Sequence, residues 1–222
     1  MPQDMEMLEF QQNLLQSARE LTQGTQDWLD IRLGRVTASR IADVIAKTKS
    51  GYSTSRKNYM DELVKERFGV RPEPFTNAAM QWGTEQEPFA RMEYEARSGN
   101  LVLEVGFVHH PTIKMAGASP DGIIGEGLLE IKCPNTSTHF DYLIADEVPA
   151  KYIPQLAWQM ACTGCHWVDF VSFDSRSPQG LQYFCKRYER DDEYIAMLEN
   201  EVVSFLNEVN ERYETLKLKL TK

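Results

Sequence analysis

The sequence predicts an α/β fold of the α+β type, in which a mixed central sheet with an antiparallel meander is flanked by helices. Two groups of short segments rich in β-branched and aromatic residues predict the strands of that sheet. Segments with helical apolar spacing precede and follow them, and the last predicts a long C-terminal helix. With 222 residues and 42% hydrophobic content, the chain can bury one substantial core, so we predict a single domain over residues 1–222.

Helices dominate the first half of the predicted fold. Apolar residues at helical spacing predict helices over residues 7–21, 27–33, 58–68 and 77–97. Gly24 and Gly99 follow the first and the last of these segments and are typical of helix ends. Thr37 precedes a further helical segment that it is able to cap, which places Ser39 in the first turn. Pro88 predicts a kink or a junction in the last helix, because proline clashes with the carbonyl four residues earlier.

The strands follow in the second half of the chain. We predict an antiparallel meander over residues 102–109, 115–118 and 128–133, and two later strands over residues 166–173 and 181–188. Between the two groups, Pro149 and Pro154 introduce a helix that Gly164 ends. From Asp191 onward a nearly seven-residue apolar repeat predicts a helix that covers the sheet, and its members are Ile195, Leu198, Val202, Phe205, Val209 and Leu216.

The charge distribution argues against a protein that coats nucleic acid by bulk electrostatics. The formal net charge is −9. Residues 32–57 contain seven basic residues and one acidic residue, so this segment carries +6 and the remainder of the chain −15. An acidic body with one basic segment is able to guide a phosphate chain towards one face and to repel it elsewhere. The alternative is that the basic segment is a solvated loop.

The sequence also limits the location and the cofactors. It has no run of about 18 apolar residues and no basic N-terminal segment that leads into an apolar one, so we predict a soluble, cytoplasmic protein without membrane contact. Four cysteines in a chain of this length favour a reducing compartment over a disulfide framework. Cys162 and Cys165 form one Cys-x-x-Cys pair, whereas a structural zinc site usually needs a second pair or matching histidines.

A Pro-Asp pair is followed closely by a Glu-x-Lys sequence, and this spacing is able to build a metal-dependent phosphodiesterase. Asp121 leaves a turn, and residues 128–133 after it have the composition of a short strand. Side chains alternate faces along a strand, so Glu130 and Lys132 share one face while the residues between them pack on a core. The alternative is an amphipathic hairpin whose charges provide solubility. Pro-Asp and Glu-x-Lys each occur once in the chain and fall together, which favours the functional site.

These charged side chains suit phosphodiester hydrolysis, which needs a nucleophilic water, a cation over the non-bridging oxygens and stabilisation of the leaving oxygen. Asp121 and Glu130 offer hard carboxylate oxygens suited to Mg²⁺ or Mn²⁺, and the carbonyl of Ile131 is able to add a third ligand. Lys132 is then placed to orient or deprotonate the attacking water, or to offset charge on the phosphorane.

Two helical segments predict further contacts with the substrate. First-turn amides point outward after Thr37, so Ser39 together with Arg32 is able to grip a terminal phosphate. An ordinary capped helix is the alternative. Gln155 and Gln159 are four residues apart and share one helix face, where their amides are able to contact a phosphate or a base.

The order of these segments resembles that of the phage lambda exonuclease family, the viral-recombinase branch of the PD-(D/E)XK nucleases. The resemblance covers most of the chain and rests on Trp28, Arg32 and residues 36–39, on Trp82, Gly83 and Glu87, on residues 119–122, on residues 130–134, and on Gln155 and Gln159. It implies a restriction-endonuclease-like core and a Mg²⁺-dependent exonuclease that degrades one strand of duplex DNA from a 5′-phosphorylated end. Such an enzyme releases mononucleotides and leaves a 3′ overhang for recombination by strand annealing.

The resemblance also implies roles for single residues. The catalytic residues would be Lys132, Glu130, Asp121 and Glu87. Mg²⁺, which Mn²⁺ would be able to replace, would be bound by Asp121, Glu130 and the carbonyl of Ile131. The 5′-phosphate would be bound by Arg32, Ser39, Ser119 and Gln155. Met80 would be the apolar wedge that helps to part the strands.

Members of this family form ring-shaped trimers around DNA and act beside a single-strand annealing protein. The resemblance therefore implies a homotrimer and such a partner, in a phage or prophage protein of a bacterial cell. Pro88 and Pro154 depart from the family pattern directly beside Glu87 and Gln155, so these two roles depend on the local backbone. The alternatives are an endonuclease or single-strand nuclease of the same superfamily, an iron–sulfur nuclease, a DNA-end binding module without catalysis, and a scaffold.

Overall fold

The computed structural model describes residues 21–73 and 76–220. The helix predicted over residues 7–21 lies outside the described residues, apart from Leu21. Across the described ranges, each helix is too short or too polar to span a membrane.

Most of the helices lie close to their predicted positions. Asn77 caps one of them by accepting a hydrogen bond from the amide of Met80, and Gly99 and Gly164 end two others in the left-handed conformation that glycine favours. In chain order the α-helices of the described residues are α1 (Gln26–Arg32), α2 (Ile41–Ile45), α3 (Thr54–Arg67), α4 (Ala78–Ser98), α5 (Thr136–Ala145), α6 (Ile153–Thr163) and α7 (Asp192–Leu220). Short 3-10 turns, Ala38–Arg40 and Ala150–Tyr152, precede α2 and α6.

The strands of the described residues form three sheets. A small mixed sheet contains β1 (Val36–Thr37), β4 (Val108–His109) and β5 (Ala116–Ala118), and a hairpin contains β2 (Lys47–Thr48) and β3 (Gly51–Tyr52). The central sheet contains, in spatial order, β6 (Gly122–Ile124), β7 (Gly127–Lys132), β8 (Trp167–Phe173) and β9 (Tyr183–Glu189). In it β7 and β8 run parallel, whereas the two outer pairs are antiparallel. The predicted mixed α+β class is therefore confirmed.

Two buried clusters cover the two faces of the central sheet. The larger cluster joins α3, α6 and α7 to the sheet, and the predicted repeat of α7 is buried in it from Ile195 to Val209. The smaller cluster packs Ala90 and Tyr94 of α4 against the other face. Leu128 belongs to the first cluster and Leu129 to the second, so both faces of β7 are buried, as in a strand with parallel pairing.

Several local expectations are wrong. The segment 102–109 contains only β4 and an isolated bridge from Leu103 to Ile123. The predicted meander does not form, because β7 lies in a different sheet from β4 and β5. Strand β6, helix α5 and the β2–β3 hairpin were not predicted. Helix α4 continues through Pro88, which excludes a junction there. Thr37 makes no side-chain capping bond, and Ser39 lies in a 3-10 turn.

Gly127, the first residue of β7, is packed closely against the ring of Trp167. A Cβ atom on Gly127 would lie 2.2 Å from ring atoms of Trp167. We therefore expect Gly127→Ala to lower the free energy of unfolding by about 1–3 kcal/mol, because the indole or the strand must move. Urea denaturation measures this change. Gly83→Ala is the control, since Gly83 lies in a helix with open space beside it, and alanine there should preserve or raise stability. Equal losses in both variants would contradict the expectation.

Candidate active site

Strand β7 holds Glu130 and Lys132 on one face, as its alternation predicts. Ile131, between them, is buried on the opposite face in the cluster with α4. Glu130 is only 1% exposed, whereas the side chain of Lys132 is 28% exposed. The ammonium of Lys132 donates a hydrogen bond to Oε1 of Glu130. The strand therefore carries a buried carboxylate whose cationic partner reaches towards solvent.

Asp121 is fixed against the same strand by backbone hydrogen bonds. Its amide donates to the carbonyl of Leu129 over 3.1 Å, and its Oδ2 accepts from the amide of Ile131 over 2.6 Å. Because both contacts involve the backbone of β7, Asp121, Glu130 and Lys132 form one rigid unit.

A cavity of about 460 Å³ opens over this unit. Its lining includes Met80 and Glu87 from α4, and Asp121, Ile131 and Lys132 from the unit itself. Glu130 is not one of the lining residues, but it accepts a hydrogen bond from Lys132, which is. The structure thus brings most of the residues that the sequence assigned to catalysis, to the metal and to strand separation to one cavity.

The carboxylate of Glu130 accepts hydrogen bonds on both oxygens. Lys132 and Nε2 of Gln155 donate to Oε1, the latter over 2.6 Å, and Nε2 of Gln159 donates to Oε2 over 2.6 Å. Gln155 is partly exposed, and its role in binding the 5′-phosphate stays a prediction. Gln159 is 0% exposed, so the expectation that it touches a phosphate or a base is wrong.

Crowded carboxylates dominate the electrostatics of the cavity. Burial, and then the negative charge of Glu130, raises the pKa of Asp121 well above its usual range. Burial likewise raises the pKa of Glu87, although Arg91 lies 2.9 Å from this carboxylate and opposes the effect. Burial lowers the pKa of Lys132, but Glu130 and Asp121 outweigh it, so this pKa is raised overall. In the protein without bound metal, Lys132 is therefore the cation that offsets the negative charge of Asp121 and Glu130.

The donor atoms fit a hard divalent cation. Asp121 and Glu130 supply carboxylate oxygens and Ile131 a carbonyl oxygen, and the negative charge gathered there favours Mg²⁺ or Mn²⁺ over softer metals. Within residues 21–73 and 76–220, no three His, Cys, Asp or Glu side chains are grouped so that they could hold a metal. A cation would thus depend on two carboxylates, the carbonyl and oxygens of solvent or phosphate.

A second cluster surrounds Arg32 at the end of α1. Its Nη1 donates to Oγ of Ser119 over 3.3 Å, and Nε1 of Trp28 donates to the same oxygen over 3.0 Å. The guanidinium carbon lies 4.1 Å from the centroid of the Trp28 ring. Arg32 and Ser39 line one cavity of about 260 Å³. Three of the four predicted phosphate ligands are therefore close together, and Ser119 precedes Asp121 by two residues along the chain.

Two residues near the carboxylates were not predicted from the sequence. Tyr152 lines the larger cavity, with its ring centroid 5.4 Å from Nζ of Lys132, and no motif marks it. Arg91 forms ion pairs with Glu87 and with Glu104. The four-residue spacing between Glu87 and Arg91 is a helical ion-pair signal that identifies the first of these contacts.

Comparisons with known proteins agree with this geometry. No curated protein matches the chain significantly. The crystal structure of an alkaline exonuclease (LHK-Exo) from Laribacter hongkongensis is similar, with 51% sequence identity and a TM-score of 0.84, over 89% of this chain and 98% of that chain. A structure of LHK-Exo in complex with dAMP matches equally well. A phage related exonuclease from Haemophilus somnus 129PT has the same fold, with 18% identity and a TM-score of 0.64 over 84% of this chain and 96% of that chain.

The sequence profile of the YqaJ-like viral recombinase domain matches residues 27–166. This range includes Arg32, the Asp121–Glu130–Lys132 unit and both glutamines of α6. The family predicted from the order of the motifs is confirmed: the chain belongs to the YqaJ-like viral recombinase domain family.

Proposed function

We propose that this protein is a Mg²⁺-dependent exonuclease that degrades duplex DNA in the 5′-to-3′ direction from 5′-phosphorylated ends. It releases mononucleotides and leaves a 3′ single strand for recombination by annealing. The observation that carries the proposal is the rigid unit of Asp121, Glu130 and Lys132 at one cavity. Membership of the viral recombinase family and 51% identity to an alkaline exonuclease support a DNA exonuclease, and the dAMP complex of that relative supports a mononucleotide product.

In the proposed reaction, water attacks the phosphorus of the terminal phosphodiester and the 3′-oxygen of the first nucleotide leaves. Mg²⁺, bound by Asp121, Glu130 and the Ile131 carbonyl, would supply Lewis-acid stabilisation of charge on the phosphate. Lys132 orients the attacking water and, as an ammonium that holds its proton at Nζ, offsets charge on the phosphate, since its side chain reaches the cavity. Glu87 faces the same space and adds a carboxylate on the α4 side. Met80, which is 51% exposed and lines the same cavity, would act as the apolar wedge at the end of the duplex.

Recognition of the 5′-phosphate is proposed for the cluster around Arg32. The guanidinium is held by Ser119 and by the ring of Trp28, so its direction is set before DNA binds. Ser39 opens onto the same cavity and is able to donate its hydroxyl hydrogen to phosphate. Gln155 completes the set if its amide turns from Glu130 to the phosphate, and its partial exposure allows this.

Assembly is proposed to make the activity processive. A ring-shaped homotrimer would retain duplex DNA by topology, which offsets the repulsion expected from a net charge of −9. A single-strand annealing protein would then bind the 3′ strand as it is exposed. We propose that these steps take place in the cytoplasm of a bacterial cell, with the gene carried by a phage or a prophage.

One assay tests polarity and end recognition together. The substrate is linear duplex DNA with a 5′-phosphate on one strand only and a different label on each strand, incubated with Mg²⁺. We expect mononucleotides from the phosphorylated strand and survival of its complement. Cleavage of closed circular DNA would indicate an endonuclease, and binding without release of nucleotides would favour a DNA-end binding module.

The cluster around Arg32 leads to a prediction about recognition of the 5′-phosphate. Arg32→Ala should lower the rate on 5′-phosphorylated ends by about 10- to 100-fold, because a hydrogen bond to a charged group contributes about 1.5–3 kcal/mol. The rate on 5′-hydroxyl ends should change little, so the ratio of the two rates is the measurement. Arg97→Ala is a matched control, since Arg97 is half-exposed on α4 and pairs with Glu93. An unchanged ratio for Arg32→Ala would remove Arg32 from end recognition.

A further inference from the structure

The amide of Gln159 has an orientation that its surroundings enforce. The side chain lies on α6 beneath Glu130, and its Nε2 donates to Oε2 of that carboxylate over 2.6 Å. If the amide were turned over, its carbonyl oxygen would face the carboxylate without a hydrogen between them, and the two would repel. The donor of Gln159 is therefore directed at Glu130.

The carbonyl oxygen of the same amide has no hydrogen-bond partner among the described residues. A buried acceptor without a donor costs about 1–3 kcal/mol of stability. The residues around it on α6, Leu156, Trp158 and Met160, are also fully buried, so an apolar side chain of the same length would suit the packing. The hydrogen bond to Glu130, and not packing in the core, therefore explains why a glutamine occupies this position.

Gln159 differs in this respect from the two donors on the other oxygen of Glu130. Lys132 and Gln155 both donate to Oε1, and both are partly exposed, so they are able to turn towards a cation, a water or a phosphate. Gln159 is enclosed and lacks that freedom. Oε2 thus has an enclosed partner, whereas the partners of Oε1 have room to turn away from it.

We infer that Gln159 is a positioning residue for the metal site, which fixes Oε2 of Glu130 so that Oε1 is presented to a divalent cation. The inference rests on the proposed function, because it assigns Glu130 to the metal. It adds a residue that itself touches neither metal nor DNA. Partners of this kind, behind a metal ligand, usually change metal affinity by about 10- to 100-fold when they are removed.

The test measures binding of Mn²⁺ to the purified protein without DNA, by calorimetry, and the Mg²⁺ concentration that gives half-maximal cleavage. Gln159→Met removes the donor and the unpaired acceptor at similar length. We expect Mn²⁺ affinity to fall by about 10- to 100-fold and the Mg²⁺ requirement to rise in parallel. Thermal stability without metal should change little, because removal of the unpaired carbonyl oxygen offsets the loss of the donor to Oε2 of Glu130. If the methionine variant does not fold, Gln159→Leu serves the same purpose.

Thr163→Val is the matched control. Thr163 is also fully buried on α6, and its hydroxyl donates to the backbone carbonyl of Gln159 over 2.8 Å without touching Glu130. It should lose stability and keep its affinity for Mn²⁺. Equal Mn²⁺ affinity of the wild-type protein and Gln159→Met would overturn the inference alone. A wild-type protein that binds no Mn²⁺ would overturn the proposed metal site and the inference with it.

Discussion

Lys132→Ala is expected to reduce DNA cleavage by about 10²- to 10⁴-fold, the usual effect of removing a general acid–base group. Lys132 is the ammonium that contacts the Glu130 carboxylate and also lines the cavity above it. Without it, Asp121 and Glu130 lose the ammonium that offsets their charge, and the attacking water loses its partner. Release of mononucleotides from 5′-phosphorylated duplex DNA measures the loss.

Binding and folding must be separated from catalysis in this variant. Removal of one partner from a buried ion pair often costs about 3–5 kcal/mol, so thermal melting is compared with and without Mg²⁺. Lys132→Arg is the second variant, because it keeps the charge but replaces the compact ammonium with a larger planar guanidinium, and we expect it to fold well and remain nearly inactive. Lys186→Ala is the surface control, since Lys186 lies on β9 and pairs with the exposed Asp146. Near-normal cleavage by Lys132→Ala would refute its catalytic role.

The parts of the site that the sequence predicted correctly are those set by local geometry. Alternation along β7 places Glu130 and Lys132 together, because a strand has a period of two residues wherever it lies in the fold. The return of Asp121 to the same strand depends on a short turn, which the glycines at 125 and 127 indicate. Both features lie within one continuous segment.

The errors arise where distant segments decide the outcome. The four-residue spacing of Gln155 and Gln159 correctly predicts a shared face, but only tertiary packing determines that Glu130 lies against it. Helix α5 was missed because it is short and is held by contacts with distant segments, as His139 shows by its bonds to Ser172 and to the carbonyl of Leu181. Pro88 is accommodated within α4, although proline usually interrupts a helix.

Asp121→Asn is expected to abolish cleavage, with a loss on the order of 10³-fold or more, because metal stabilisation of transition-state charge is worth several kcal/mol. The substitution preserves the size of the side chain and an oxygen that accepts from the amide of Ile131. What it removes is one negative charge among Glu87 and Glu130 and one hard ligand for the cation. Asp121→Asn should therefore lose activity while it keeps its folded structure.

Stability in the absence of metal should change in the opposite direction from activity. Asp121 shares its enclosed site with other carboxylates, so a neutral residue there should raise the urea midpoint of the metal-free protein. Added Mg²⁺ should stabilise the wild-type protein by binding to its folded state, and should stabilise Asp121→Asn much less. Asp146→Asn, on an exposed carboxylate paired with Lys186, should respond to Mg²⁺ like the wild-type protein. If Mg²⁺ stabilised Asp121→Asn as strongly as the wild-type protein, Asp121 would not be a metal ligand, and the acidic cluster would need another role.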